Sequence, residues 1–195
     1  FHISMSSDVT ATAKCVSPML DAIAYFVETP QITSVNWACF RVSGEQGIQM
    51  IESRTGKRYA AYHLLSMYND MPVERVALSI EGGGIRGFAS ADDARGGVML
   101  YNRSYKEKSF SLRLNNLPFA RCDVAVYAID GEHSNYGANG GDDEADVVYT
   151  AENVRTDDLS LYGAIASGGA VYEKITDADG APAPAPVTAL VDDRA

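Results

Sequence analysis

One change of hydrophobic period, at Pro72, constrains this chain more than any other feature: before it apolar residues recur at helical spacing, and after it they recur every second position. Val16, Met19, Leu20, Ile23, Ala24 and Val27 fall on one helical face. Ser17 with Pro18 suits a helix start and Thr29 with Pro30 a stop, so a helix is predicted over Val16 to Val27. Ile32 to Phe40 is a short β-rich run with apolar residues on both faces, the pattern of a strand covered on two sides. A Gly-containing loop, Ser43 to Gly56, leads to Lys57 to Asn69, where Ala60, Leu64, Met67 and Tyr68 again keep helical spacing until Met71 and Pro72 close the helix. Helix, buried strand, helix is the order of a parallel α/β unit.

Beyond Pro72, eight short strands are predicted: Val73 to Ile80, Ile85 to Ser90, Val98 to Asn102, Ser109 to Leu114, Val124 to Ile129, Val147 to Thr150, Leu159 to Tyr162 and Ala170 to Ile175. Phe110, Leu112 and Leu114 alternate with Ser111 and Arg113, which buries one face and wets the other. Such spacing means an antiparallel sandwich or barrel. Gly131 to Asp146 reads as a long polar loop, of the length usually given to functional or mobile segments. The alternating Ala and Pro from Ala181 to Pro186 are a stiff linker composition, so Val187 to Ala195 is expected to lead elsewhere or to be disordered. The chain thus divides into an α/β part (1–72), an antiparallel β-sandwich (73–178) and a Pro/Ala-rich linker or tail (179–195).

Composition narrows the function. The 195 residues are 46% hydrophobic and 22% charged, enough for a sizeable core. A net charge of −10 opposes a nucleic-acid partner, whose affinity comes from Lys and Arg, and leaves a neutral or cationic partner easier to accommodate, although acidity that simply keeps a protein soluble is the favoured reading. No apolar run approaches the roughly 20 residues of a membrane span. Cys15, Cys39 and Cys122 form no C-x-x-C pair; they read as buried thiols with one bridge left open.

Tyr59 to Tyr62, Tyr68 to Pro72, Phe88 to Ser90, Val98 to Asn102, and Leu117 with Pro118 resemble the final barrel helix and first sandwich strands of retaining glycosidases of the β-xylosidase and α-L-arabinofuranosidase type. The likeness spans about residues 1 to 175 through short, mostly structural motifs. It implies the terminal α/β elements of a (β/α)8 barrel followed by an antiparallel β-sandwich. Phe1 to Ser4 would end the seventh barrel strand, Val16 to Val27 form the seventh helix, Ile32 to Phe40 the eighth strand, and Tyr59 to Asn69 the eighth helix. The family places its nucleophile, a Glu, at the end of the seventh strand and its acid/base Glu on the fourth. Neither matches a residue here, so the catalytic pair is expected from an upstream barrel segment or a partner chain. An extracellular or periplasmic location is implied, and no cofactor.

Barrel active sites lie at the carboxyl ends of the strands, which makes His2, Ser4, Asn36, Trp37 and Phe40 the candidate substrate-binding residues. Trp37 offers a flat face to a pyranose, or else fills the barrel core; Asn36 could bond a hydroxyl. Retaining hydrolysis needs two carboxyl groups about 5 to 5.5 Å apart. Glu45 and Glu52 are the nearest candidates, and solvated loop carboxylates are the favoured reading of both. His63 reads as helix packing. Gly82 to Gly84 joins two strands without the Lys and helix of a phosphate loop, so a hairpin turn explains it. Asp142 to Asp146 offers hard oxygen ligands but lacks the alternation of a calcium loop, which favours a solvated acidic loop over a metal site. Tyr136, between Asn135 and Asn139, could touch a glycan, and Asn102-Arg-Ser104 matches a glycosylation sequon. Two functions remain: the carboxy-terminal portion of a glycoside hydrolase acting on plant or microbial polysaccharide, or a non-catalytic carbohydrate-binding or extracellular structural sandwich.

Overall fold

The computed structural model describes residues 13–29, 31–32, 50–52, 55–135, 144–157, 159–178 and 188–192, the last group as backbone. Both predicted helices form. A short 3-10 turn, Ala13–Cys15, runs into α1, Val16–Val27, and α2 spans Ala60–Asp70. Helix α2 begins three residues later than the spacing predicts because the preceding chain is tied into a small hairpin. There the Tyr59 N–H donates to the Met50 carbonyl at 2.8 Å and the Glu52 N–H to the Lys57 carbonyl at 2.7 Å. Apart from Ile32, the run predicted as a buried strand, Ile32 to Phe40, lies outside the described residues.

All eight predicted strands form, as β1 Arg75–Glu81, β2 Ile85–Ala91, β3 Arg95–Asn102, β4 Lys108–Asn115, β5 Arg121–Ile129, β6 Val147–Arg155, β7 Leu159–Ile165 and β8 Ala170–Asp177. The chain adds a ninth, β9, Thr188–Asp192, in the segment that the composition assigns to a tail. It lies parallel to Ala77–Glu81 of β1 and antiparallel to Ser111–Asn115 of β4. In that position it pairs two rows of backbone N–H and C=O groups that would otherwise stand at open sheet edges.

The strand order is β6-β5-β8-β3-β2-β1-β9-β4-β7. Strand β1 is the corner. Arg75 and Val76 pair with Ser90 and Ala89 of β2, after which the same strand crosses to pair with β9. The ladder therefore forms two layers joined along β1, a β-sandwich. Gly82 and Gly84, at φ 103° and 110°, make the turn into β2 with backbone angles that side chains oppose, as the hairpin reading of Gly82 to Gly84 requires.

Period-two alternation sorts the side chains onto faces. Leu112, Leu114, Val98, Leu100, Val124 and Ile175 meet between the two layers in one apolar core. On the other face of the first layer, Phe88, Met99, Tyr101 and Tyr172 meet Met19, Leu20, Leu64 and Met67 of the helices in a second core. Strand β3 is consequently buried on both faces from Gly96 to Asn102. Two carboxylates fix the helices to this sheet. Tyr101 donates its hydroxyl to Asp21 of α1 at 2.8 Å, and Arg103 and Arg86 also pair with Asp21. Tyr172 donates to Asp70 at the end of α2 at 3.1 Å, and Lys174 lies 2.9 Å from the same carboxylate. An acid is disfavoured at a helix carboxyl end, and Lys174 offsets that cost.

Met99 is fully buried in the helix-facing core. Met99→Ala is expected to cost about 2–5 kcal/mol by the usual cavity penalty, read as a lower urea midpoint. Truncation after Ala178 removes β9 and should lower the midpoint further, since both β1 and β4 lose a neighbour; an unchanged midpoint would contradict the register described.

Candidate functional site

Of the residues that sequence reasoning assigns to substrate, His2, Ser4, Asn36, Trp37 and Phe40 all lie outside the described residues, as do Glu45, Cys39, Tyr136 and Asn139. Glu52 is described, and its carboxylate accepts the Thr55 N–H at 2.6 Å, holding the hairpin before α2. His63 is buried in α2 with its ring edge-on to Tyr62 at 5.9 Å, in keeping with packing. Cys15 and Cys122 are buried free thiols, pushed up by burial to about 12 and about 11, so neither is a reactive thiolate.

Two motifs of the sequence have structural partners. Asn102 of the sequon is fully buried: its amide donates to the carbonyls of Lys106 at 2.7 Å and Ile165 at 2.8 Å, while its own oxygen accepts the Ser104 N–H at 2.8 Å. It is a cross-strand clamp, not a glycan acceptor. In the acidic loop, Glu144 pairs with Arg58 at 2.9 Å, and Asp146 accepts the Ser134 N–H while its own N–H donates to the Ser134 hydroxyl at 2.8 Å. The Ser134–Asp146 contacts join the two described ends of the loop, while Glu144 stays largely exposed; Asp142 and Asp143 lie outside the described residues.

A cleft opens where the two layers end, between edge strands β6 and β7. Its volume is about 490 Å³, within the range of small-molecule sites. It runs inward past Val126 of β5 to Val171 and Glu173 of β8, the third strand from the edge, with Phe110 of β4 on the opposite wall. Two local features hold it open. At Val148 the register of β6 slips against Val126 and Tyr127, a bulge that turns both Val148 and Tyr149 toward the cleft. Across it, Gly163 faces Phe110, and a Cβ there would come within 2.8 Å of the ring, so the glycine leaves room for the phenyl group. Tyr149 and Tyr162, 51% and 79% exposed, form the rim.

Glu173 is a buried acid at the floor of this cleft. It follows Val171 and precedes Ile175 on the core-facing side of β8, stands opposite Val98 and Val126, and is 1% exposed. Its Oε2 has no hydrogen-bond partner among the described residues. Burial alone pushes its carboxyl up to about 8. Because the folded value lies above the ordinary carboxylate range, the unfolded chain ionises first as pH rises. Stability is therefore lost progressively between the ordinary value of 4.5 and about 8, and the loss is constant above that. Glu173→Gln should be more stable than the parent at pH 8 and indistinguishable from it near pH 4, measured by urea denaturation across pH. Asn102→Ala should cost about 1–3 kcal/mol by leaving buried carbonyls unpaired, and mass spectrometry of protein made in a glycosylating host should find Asn102 unmodified.

No family model matches the sequence, and no curated protein matches it. Several solved structures match the fold. A monomeric β-xylosidase from Caulobacter crescentus CB15 is similar at a TM-score of 0.60 and 10% identity over 87% of this chain and 42% of its own. A glycoside hydrolase family 30 subfamily 8 xylanase from Clostridium acetobutylicum is similar at 0.59 and 10% identity over 85% of this chain and 40% of its own. A family 30 endoxylanase from Clostridium papyrosolvens C71 is similar at 0.54 and 12% identity over 85% and 39%. The chain spans about two fifths of the length of the solved proteins it matches. At such identity the likeness is one of fold: a β-sandwich of the kind found in glycoside hydrolases.

Proposed function

We propose that this chain is the carboxy-terminal portion of a glycoside hydrolase, its sandwich a non-catalytic structural accessory and its catalytic Glu residues supplied by an upstream barrel segment or a partner chain. The observation that carries this reading is the attachment of both helices to the sandwich sheet, through the apolar core of Met19, Leu20, Leu64 and Met67 and the Asp21 and Asp70 anchors, together with the likeness in fold to a xylanase and a β-xylosidase. On this reading α1 and α2 are the seventh and eighth helices of a (β/α)8 barrel, and the sandwich holds them in place by burying their apolar stripes. His2, Ser4, Asn36, Trp37 and Phe40 would then border a site for plant or microbial polysaccharide of the β-xylosidase or arabinofuranosidase type, outside the cell or in the periplasm. Among the described residues that line the cleft between β6 and β7, Glu173 is the one carboxyl group, whereas retaining hydrolysis uses two.

A second reading, a non-catalytic module for carbohydrate binding or extracellular structure, gains from the closure of both helices on the sheet. Assay separates the two. The purified chain should release no aryl alcohol from aryl β-xylosides or α-L-arabinofuranosides, and the chain extended by its preceding coding sequence should do so. Turnover by the chain alone, or an extension that encodes no barrel, would overturn the first reading; binding of xylo-oligosaccharides without turnover in the extended protein would select the second.

A further inference from the structure

The cleft between β6 and β7 holds chemistry that an accessory role leaves unused. A carboxyl group that is 1% exposed and lacks a partner for Oε2 is costly to bury. Here it stands at the floor of a cleft of about 490 Å³, all but covered by its apolar neighbours. We propose that this cleft binds a small amphipathic cation, an ammonium group on a flat apolar body, with Glu173 as the counter-ion and Phe110, Tyr149 and Tyr162 around the apolar part.

Three observations favour that ligand class. The walls beside Glu173 are apolar: β8's neighbours present Val98 and Val126, and the facing layer presents Phe110 and Leu161. Among the described lining residues, the titratable groups other than Glu173 are the rim tyrosines Tyr149 and Tyr162, and no Lys, Arg or His supplies a positive charge. A ligand that brings its own cation would, once the side chains covering Oε2 shift aside, meet the unpaired oxygen with a charge-assisted hydrogen bond and place its apolar body against rings whose faces attract cations. A sugar, with hydroxyls on every side, would find beyond the rim, among the described lining residues, only Ser160 and Glu173 as side-chain partners. The chain's net charge of −10 also favours approach of a cation over an anion.

Binding changes the state of the carboxyl. With its value pushed up to about 8, Glu173 is mostly protonated at neutral pH in the free chain. An ammonium group favours the ionised form, so the complex releases a proton and tightens as pH rises toward 8. A neutral hydrogen-bond acceptor would show the opposite trend.

Benzylammonium and its neutral isostere benzyl alcohol test this directly, titrated into the chain by NMR and by calorimetry in two buffers of different ionisation enthalpy. The expected result is tighter binding of benzylammonium with proton release, shift changes centred on β6, β7 and β8, and a loss of about tenfold or more in Glu173→Gln, the usual worth of a hydrogen bond to a charge. Benzyl alcohol should bind more weakly and be indifferent to Glu173→Gln. Tyr162→Ala alters an exposed rim residue, so it leaves the core intact and should also weaken benzylammonium. Equal binding of the alcohol, no binding of either probe, or displacement of benzylammonium by xylo-oligosaccharide would overturn the proposal. None of these outcomes depends on glycosidase turnover, so this site and the accessory role fail separately.

Discussion

The architecture depends on one sheet being covered on both faces. Strand β3 shows the constraint at its tightest: Val98 and Leu100 point into the sandwich while Met99 and Tyr101 point at the helices, and all four are buried. A strand in that position reads as an almost continuous apolar run, and each of its residues must fit one of two different neighbours. The sheet cannot shift register by one residue without exchanging the two sets. Helices and sandwich are thus not two bodies in contact but two cores that share a wall.

Polar groups mark the borders of that wall. Asp21 and Asp70, one on each helix, accept hydroxyls from Tyr101 and Tyr172 and are neutralised by cations of the sheet. Desolvation raises both tyrosines above their ordinary value, most strongly Tyr172, where the nearby Asp70 charge adds to the effect, so both remain donors at any physiological pH. Glu173 is the contrasting case. It occupies a core-facing position without a comparable cation, and the layers part beside it. The same physical term, loss of water around a carboxyl, is compensated at the helix seam and left uncompensated at the cleft.

Much of this was legible in the amino-acid sequence because burial leaves a period behind it. The run from Val16 to Val27 and the eight strands from Val73 to Ile175 were written in spacings of about 3.6 and 2 residues, and the hairpin at Gly82 to Gly84 in its glycines. Strand β9 escaped because Thr188 to Asp192 follows a Pro/Ala run whose composition says linker; the three successive apolar residues Ala189, Leu190 and Val191, suited to an interior strand, were the available signal. The burial of Asn102 was not legible, since a sequon is a three-residue pattern that carries no information about burial. Glu173 was hidden by its neighbour Lys174, which makes the pair look like a wet face. Period two, however, places Glu173 with Val171 and Ile175, and an acid at the centre of an apolar i, i+2, i+4 series is the signal that could have found it.

Native-state hydrogen exchange tests the shared wall most directly. If the two cores are one cooperative unit, amides in the middle of α1 and α2 exchange with the same opening free energy as those of β3 and β8, and Met99→Ala lowers all of them together. Helix amides that exchange through a much smaller opening, while the strands keep full protection, would show that the helices merely rest on the sandwich.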